Sequence, residues 1–172
     1  MRVIVDGYNL IRNSSYLSQI ERQDLEAGRR ELLRRLSEYQ RRKGHQVLVV
    51  FDAAESAYSS RRHERIAGIS VTFSRKGETA DEVIKGLASA GREGLVIVTS
   101  DRELATFAEK HGSFAIAADE FEQRMTPSAE FLAKEKQEEE EEEMDRSLGK
   151  KKGTARRRSK AERRRHAKLL HL

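Results

Sequence analysis

The sequence VIVDGYN at residues 3–9 decides the fold class of this chain. Its first three residues, Val3, Ile4 and Val5, are β-branched and show no helical period, which is typical of a strand buried on both faces of a parallel sheet. The apolar run ends at Asp6. A helical pattern follows, in which apolar residues recur on one face over residues 25–39 and Gly44 stands where the helix should end. The segment therefore predicts a strand followed by a helix.

The same alternation continues along the chain. Amphipathic helices are predicted at residues 80–88 and 103–110. A polar stretch rich in Ser and Arg separates the second strand from the third. Further buried strands are predicted at residues 47–51, 69–73, 95–99 and 114–117. Strands separated by helices of this length predict an α/β fold with a mostly parallel central sheet and helices on both faces.

The net charge of +5 over 172 residues is unevenly distributed. Residues 137–145 carry six Glu and one Asp, a net charge of −7, whereas residues 146–172 carry 12 Lys or Arg against one Glu, a net charge of +11. The rest of the chain is almost neutral. We therefore predict a folded domain at residues 1–126, an acidic, helical extension at 127–145 and a basic tail at 146–172. The pair Thr126-Pro127, a helix-start signal, is expected to begin that extension.

Composition excludes several classes of protein and site. The chain has no Cys, which excludes disulfides and thiolate metal sites. It has no run of about 18 apolar residues and no signal-peptide pattern after Met1, so a cytoplasmic location without membrane contact is expected. Neither a P-loop nor a Gly-x-Gly-x-x-Gly motif occurs, and no nucleotide cofactor is predicted.

Acidic residues follow three of the predicted strands. Asp6 ends the first strand, Asp52 ends the second and Asp101 follows a third, while Asp81 lies in the first turn of a predicted helix. Because the carboxyl ends of parallel strands meet at one crevice, we expect these carboxylates to gather there. Such a cluster needs a cation, and oxygen-only ligands select Mg²⁺ or Mn²⁺. A metal held in this way can bind a phosphate oxygen and a water, which is the arrangement for phosphodiester hydrolysis.

Simpler roles are open for most of these residues. An Asp after a strand is commonly a turn residue or a helix cap. Thr79-x-x-Glu82 and Ser100-x-x-Glu103 both match the capping box, in which the residues serve only to begin helices. Asn9 could simply adopt left-handed geometry in the turn after the first strand. The pattern alone leaves both a functional acidic site and a set of structural caps open.

Four segments resemble, in order and spacing, the signature segments of the NYN domain in its YacP-like bacterial branch. They are VDGYN at residues 5–9, VFDA at 50–53, GETADE at 77–82 and VTSD at 98–101. The resemblance covers residues 1–124 and implies a PIN-like three-layer fold and a metal-dependent endoribonuclease. The best understood members of that family cut messenger RNA in association with the ribosome.

The resemblance also implies roles for the matching residues. Asp6, Asp81 and Asp101 would be the catalytic, metal-binding acids, with Asn9 positioning them or the phosphate. Asp52 and Glu78 would complete the acidic rim as further metal ligands. The residues implied to support the phosphate or the ligands are Ser100, Thr99 and Glu82. The implied cofactor is Mg²⁺ or Mn²⁺, and hydrolysis would leave 5′-phosphate and 3′-hydroxyl ends.

Basic residues are the candidates for RNA contact. In the body they are expected near the carboxyl-end edge of the sheet, at Arg61, Arg62, Arg65, Arg75 and Lys76. In the tail they are Arg156, Arg157, Arg158, Arg163, Arg164 and Arg165. No aromatic residue accompanies the tail cations, so the tail would contact phosphates without reading bases. A solvated tail, or one that folds back on the Glu run, is the alternative.

The sequence and the resemblance together predict a cytoplasmic, divalent-metal-dependent endoribonuclease that cuts RNA, with ribosome-associated mRNA as an expected substrate and with mRNA, rRNA and the ribosome as expected partners. The alternative is a non-catalytic RNA- or ribosome-binding protein that acts through its basic tail. A phosphatase-like pocket is disfavoured, because the chain lacks the Asp-x-Asp pair that such chemistry uses.

Overall fold

A computed structural model describes residues 1–53, 59–90 and 94–126 of the chain. The strands are β1 (Arg2–Asp6), β2 (Gln46–Phe51), β3 (Arg62–Ile66), β4 (Ile69–Phe73), β5 (Leu95–Val98) and β6 (Phe114–Ile116). The helices are α1 (Gly7–Asn13), α2 (Ser15–Gln23), α3 (Leu25–Lys43), α4 (Ala80–Ser89), α5 (Arg102–Lys110) and α6 (Ala118–Met125). The predicted acidic extension and basic tail lie outside the described residues.

The strands form one sheet in the order β3-β4-β2-β1-β5-β6. All neighbours are parallel except β3 and β4, which pair as an antiparallel hairpin. β1 lies in the interior, with Ile4 opposite Leu48 of β2 and Ile97 of β5. The prediction of a mostly parallel α/β sheet is confirmed.

Helices cover both faces of the sheet and make three layers. On one face, which we call the α3 face, α1, α2, α3 and α6 pack on alternate strand residues such as Val3, Val49 and Val71. On the other, the α4 face, α4 and α5 pack on the intervening residues, which include Ile4, Leu48 and Ile97. Successive residues of a strand point to opposite faces of the sheet. Because helices cover both faces, the residues on both sides of each central strand are apolar. Among the described residues, no helix is both long and apolar enough to cross a bilayer.

Most predicted elements are present within a residue or two of their expected bounds. The helix predicted over residues 25–39 is α3, and Gly44 ends it in the left-handed region at φ 70°. Thr79 begins α4 in a capping box, in which its hydroxyl accepts the N–H of Glu82 and the Glu82 carboxylate accepts the N–H of Thr79. The prediction of a capping box was right at this position.

Four elements were not predicted. Helix α1 begins directly at Gly7, so Asn9 is helical, and the suggestion that it lies in a left-handed turn was wrong. α2 buries only Leu17, and α6 begins at Ala117, which forms no side-chain cap, so neither helix carries a strong signal in the sequence. β3 arises within the polar stretch, where only Ile66 of its five residues is apolar.

Gly7 allows the junction between β1 and α1 to pack closely on β2. A Cβ atom built on Gly7 would lie 2.3 Å from Cε1 of Phe51, whose side chain is fully buried. That ring also packs edge-on against Tyr8 at a centroid distance of 5.1 Å. A larger residue at position 7 would therefore displace a core ring beside Asp6.

We expect Gly7→Ala to lower the free energy of unfolding by about 1–3 kcal/mol, because the added methyl overpacks the core against Phe51. Urea denaturation measures the change. Gly86→Ala is the matched control: Gly86 is exposed within α4 and nothing lies within 4 Å of an added Cβ. That substitution should raise stability by up to about 1 kcal/mol, since Ala is the better helix former. Equal effects of the two would contradict the packing argument.

Candidate active site

Three Asp carboxylates occupy the carboxyl-end edge of the sheet, and each accepts a backbone N–H at the start of a helix. Asp6 is the last residue of β1, and its Oδ1 accepts the N–H of Asn9 at 3.1 Å. Oδ1 of Asp52, just after β2, accepts the N–H of Ala80 at 2.6 Å. Asp101 begins α5, and its Oδ1 accepts the N–H of Leu104 at 2.9 Å. These bonds fix one oxygen of each carboxylate.

Asp81 enters the same region from the first turn of α4. The bond from Ala80 N to Asp52 ties the amino end of that helix to the end of β2. The side chain of Asp81 is half-buried, and its electrostatic neighbours include Asp101 and Asp52. The fold therefore brings together all four Asp residues that the sequence predicted to gather.

Burial and repulsion between carboxylates disfavour the ionised forms of Asp6 and Asp81. Burial of Asp6 raises its pKa from 3.8 to about 6; the N–H of Asn9 acts in the opposite direction, and Asp81, Asp52 and Asp101 raise it further. Burial also raises the pKa of Asp81, as does the negative charge of Asp101, whereas the Lys85 ammonium acts to lower it. Concentrated negative charge of this kind attracts a cation.

The polar residues next to the acids hold the loops in place. Oδ1 of Asn9 accepts the N–H of Ser100 at 2.8 Å, which joins α1 to the loop after β5. The Thr99 hydroxyl accepts the N–H of Asp101 at 3.1 Å, and the Ser100 hydroxyl accepts the N–H of Ala118 at 3.1 Å. These residues keep their predicted place beside the acids, where they bind backbone groups.

At the rim of the site one sequence interpretation requires correction, and one predicted ligand has a cationic partner. Ser100 does not begin α5, because Asp101 is the N-cap, so the capping box predicted for Ser100 and Glu103 is wrong. Glu78 is held in a two-point salt bridge by Arg61, with distances of 2.9 and 2.6 Å. This bridge lowers the pKa of Glu78 to about 2, so Glu78 is an anion paired with Arg61, and its role as a metal ligand stays a prediction.

The predicted basic residues of the body do not share one surface. Arg61, Arg75 and Lys76 lie at the carboxyl-end edge, where Arg61 and Arg75 both contact Glu78. Arg62 lies over the ring of Phe73 on the α3 face and pairs with Glu64. Arg65 pairs in register with Ser70, near the opposite edge of the sheet. The expectation that all of them lie near the acids was wrong for Arg65. The arginines of the tail lie outside the described residues.

Two residues of this region were missed by the sequence analysis. Nζ of Lys85 lies 2.6 Å from Oε1 of Glu103, and both side chains influence the pKa of Asp81. Lys85 stands four residues after Asp81 on α4, and Glu103 lies in the first turn of α5. The i,i+4 spacing from Asp81 to Lys85 is the signal that could have identified the pair.

The donor chemistry fits a hard divalent cation, because every candidate ligand is a carboxylate oxygen and one of them is largely buried. The spacing of the candidate ligands does not by itself form a metal site. Within residues 1–53, 59–90 and 94–126, no three Asp, Glu, His or Cys side chains stand close enough together to hold one ion. A metal site therefore rests on the charge and type of the donors, and we treat it as a proposal below.

A three-layer α/β fold with carboxylates gathered at the carboxyl end of a mostly parallel sheet is the arrangement found in the PIN-like class of domains. The sequence comparison identifies the particular branch. The family model of the YacP-like NYN domain matches residues 3–166, and the chain belongs to this family. The family is one of nuclease-like, RNA-related domains.

Individual relatives agree with this assignment. The Uncharacterized protein YacP of Bacillus subtilis (strain 168) is 36% identical over 90 residues, which is 51% of this chain and 51% of that protein. The match thus spans about half the length of that curated relative. The crystal structure of Rae1 (YacP) from Bacillus subtilis has a TM-score of 0.65 at 24% identity, covering 99% of this chain and 92% of that one. The crystal structure of a single-residue mutant of Rae1 has a TM-score of 0.61 at 29% identity, covering 72% of this chain and 74% of that one.

The raised pKa of Asp6 predicts that the charged site lowers stability at neutral pH. Because the folded protein holds the Asp6 proton up to about pH 6, whereas the unfolded chain releases it near 3.8, the free energy of unfolding should fall as pH rises through that window. We expect Asp6→Asn, which keeps the N-cap acceptor and removes the charge, to be more stable than the wild type by up to about 3 kcal/mol at pH 8. The gain should vanish below about pH 4.

Denaturation curves at pH 4 and pH 8 without added metal measure this difference. Asp24→Asn is the control, because Asp24 is an exposed N-cap of α3 whose carboxylate lies 3.5 Å from Arg30. It should not be stabilised at pH 8. A gain of the same size in both variants would contradict the role assigned to burial and carboxylate repulsion.

Proposed function

We propose that this protein is a divalent-metal-dependent endoribonuclease that hydrolyses RNA phosphodiester bonds at the site of Asp6, Asp81 and Asp101. The observation that carries the proposal is the gathering of these acids with Asp52 at one sheet edge, where burial and mutual repulsion raise the pKa of Asp6 to about 6. Such an edge is unfavourable for RNA unless a cation offsets its charge. The family is RNA-related, which supports RNA as the substrate.

Mg²⁺ or Mn²⁺ would be held by Asp6, Asp81 and Asp101, with Asp52 as a further donor. When bound, such an ion supplies positive charge at a phosphoryl oxygen and lowers the pKa of an attached water. Within the chain, Asp6 has to be ionised to serve as a ligand, so protons compete with the metal and activity should fall at acidic pH, less so as the metal concentration is raised. Asn9 keeps the loop after β5 in position through its bond to Ser100 N.

The described histidines support a mechanism without an imidazole base. Nδ1 of His63 contacts the hydroxyl of Thr72 on the hairpin, and Nδ1 of His111 contacts the carbonyl of Phe107 at the far end of α5. His45 contacts Tyr39 at the amino-end edge of the sheet. Within the described ranges, no imidazole contacts an acid of the site. The proposed products therefore carry 5′-phosphate and 3′-hydroxyl ends, and cyclic phosphates are not expected.

The ribosome is proposed as the place of action on the family resemblance, with the basic tail as the element that binds rRNA or mRNA. The alternative function, a non-catalytic RNA- or ribosome-binding protein, is favoured by one observation: residues 146–172 carry a net charge of +11. Such a tail binds any polyanion, with an affinity that falls steeply as salt rises. The two functions differ in whether RNA is cut.

We expect the purified full chain to cleave single-stranded RNA only when Mg²⁺ or Mn²⁺ is added, because the acids alone repel phosphate. Asp6→Asn and Asp81→Asn should each reduce the rate on the order of 100-fold or more while RNA binding is retained. Gel analysis and mapping of the ends measure cleavage. Glu109→Gln, at the exposed carboxyl end of α5, is the matched acid-to-amide control and should cleave normally.

Unchanged cleavage in both Asp variants would refute the assignment. Deletion of residues 146–172 separates the two functions. The enzyme should still cut short RNA at raised protein concentration, whereas a protein that only binds RNA through the tail would lose all association with it.

A metal readout that does not depend on activity is thermal stabilisation. Mn²⁺ should raise the melting temperature of the wild type, because an ion that binds only the folded state stabilises it by RT ln(1 + [L]/Kd). Asp6→Asn should gain much less, since it lacks a charged ligand, and Glu109→Gln should behave as the wild type. Equal shifts for Asp6→Asn and the wild type would exclude Asp6 as a ligand.

A further inference from the structure

The α4 face of the sheet carries the candidate acids and also a row of polar residues outside its apolar core. Side chains alternate along a strand, and Val3 and Val5 of β1 belong to the α3-face core. Arg2, Ile4 and Asp6 of β1 therefore share the α4 face. By the same alternation Asp52 follows Leu48 and Val50 of β2 on this face, both of which belong to the α4-face core.

The hairpin of β3 and β4 extends this face beyond its helices. Helix α4 packs on β1 and β2, and the α4-face core includes no residue of β3 or β4. On the α4 face, the hairpin instead carries cross-strand pairs of polar side chains. Nδ1 of His63 lies 2.9 Å from the hydroxyl of Thr72, and Arg65 stands opposite Ser70. Two strands of the sheet thus present a polar face on the side of the acids.

At the amino-end edge this face opens into a groove of about 550 Å³. Its cationic residues are Arg2 and Arg65, and its polar side chains include Gln46 and Ser70. Among the described residues no carboxylate and no Phe, Tyr or Trp lines it, and neither arginine forms a salt bridge. The arginines next to Arg65 along the strand differ in this respect, since Arg61 pairs with Glu78 and Arg62 with Glu64.

Two guanidinium groups without acidic partners favour an anion, and amide and hydroxyl groups beside them suit phosphate oxygens. Among the described residues no Phe, Tyr or Trp lines the groove, and the ring of its His45 packs edge-on against Tyr39, so contacts to phosphates that do not depend on base sequence are expected there. Arg61 directly precedes β3 and stands four residues before Arg65, which corresponds to about 13 Å of extended chain. Arg61 in turn stands at the edge where Glu78 and the acids lie.

We propose that the groove of Arg2 and Arg65 is a second phosphate-binding subsite, which holds the RNA backbone at the amino-end edge of the sheet. From there the RNA chain would pass over the β3–β4 hairpin to the acids. The proposal rests on the proposed function in one respect, that RNA is the ligand. The subsite adds affinity only for an RNA long enough to reach from the acids to the groove. The folded domain, and not only the basic tail, would therefore bind longer RNA more tightly than short RNA.

The experiment measures binding and cleavage separately in the full chain. Binding is measured by fluorescence anisotropy in an Asp6→Asn background without metal, using RNAs of about 20 and about 3 nucleotides over a range of salt concentrations, because about 3 nucleotides are too short to reach from the acids to the groove. Arg2→Gln/Arg65→Gln should bind the longer RNA roughly tenfold more weakly, and its salt slope should fall by about 1 to 1.5. Arg2→Lys/Arg65→Lys should restore the slope, because it keeps both charges.

Arg22→Gln is the matched control, because Arg22 is an exposed arginine in the last turn of α2 and does not line the groove. In the cleavage arm, with Asp6 intact, the double Gln variant should raise KM for the longer RNA and leave kcat and the rate on the short RNA unchanged. The basic tail is present in every variant, so the differences report the groove. Melting curves establish that each variant is folded.

Wild-type affinity and slope in the double Gln variant would overturn the proposal. An equal loss of affinity for the short and the long RNA would also overturn the proposal, because the change in net charge alone would then explain the loss. Failure of the proposed function has a different signature: no RNA is cut by any variant, while the binding arm still supports or refutes the groove.

Discussion

Burial of the Asp6 carboxylate at the end of the central strand is the constraint on which the rest of the candidate site depends. The side chain is only 6% exposed and is held by the N–H of Asn9, and three other carboxylates act on it electrostatically. Such a group destabilises the fold when ionised, so a protein with only structural needs would gain by losing the charge. The presence of this carboxylate at a buried strand end is the physical reason to look for a cation and a reaction there.

Structural and functional roles are not alternatives at this edge. Asp6 and Asp101 are helix N-caps, and Asp52 accepts the first free N–H of α4. The same bonds that begin the helices fix one oxygen of each carboxylate and so limit where the other can point. Glu78 differs from these acids, because its two-point salt bridge to Arg61 stabilises its ionised form. A carboxylate that lies near the acids can therefore still have a cationic partner of its own, as Glu78 has in Arg61.

The elements that the sequence predicted are those that bury apolar residues with a clear period. α3 and the central strands belong to this group, because their apolar positions follow the requirements of the core. β3 lacked such a signal because one of its faces is not covered by a helix and its residues there are polar. α1 lacked one because β1 runs into it without a loop, with Asp6 serving as both the last strand residue and the cap.

The sequence by itself determined the alternation of strands and helices, the placement of an Asp at three strand ends and the separation of charge between body and tail. These are local properties, set by periodicity, residue type and position along the chain. Only the tertiary structure decided which charges meet: that Arg61 binds Glu78, that Lys85 and Glu103 join the acids, and that Arg65 lies at the far edge beside Arg2. Partner choice depends on strand order and on the face to which each residue points, and neither is encoded in the spacing of residues along a single strand.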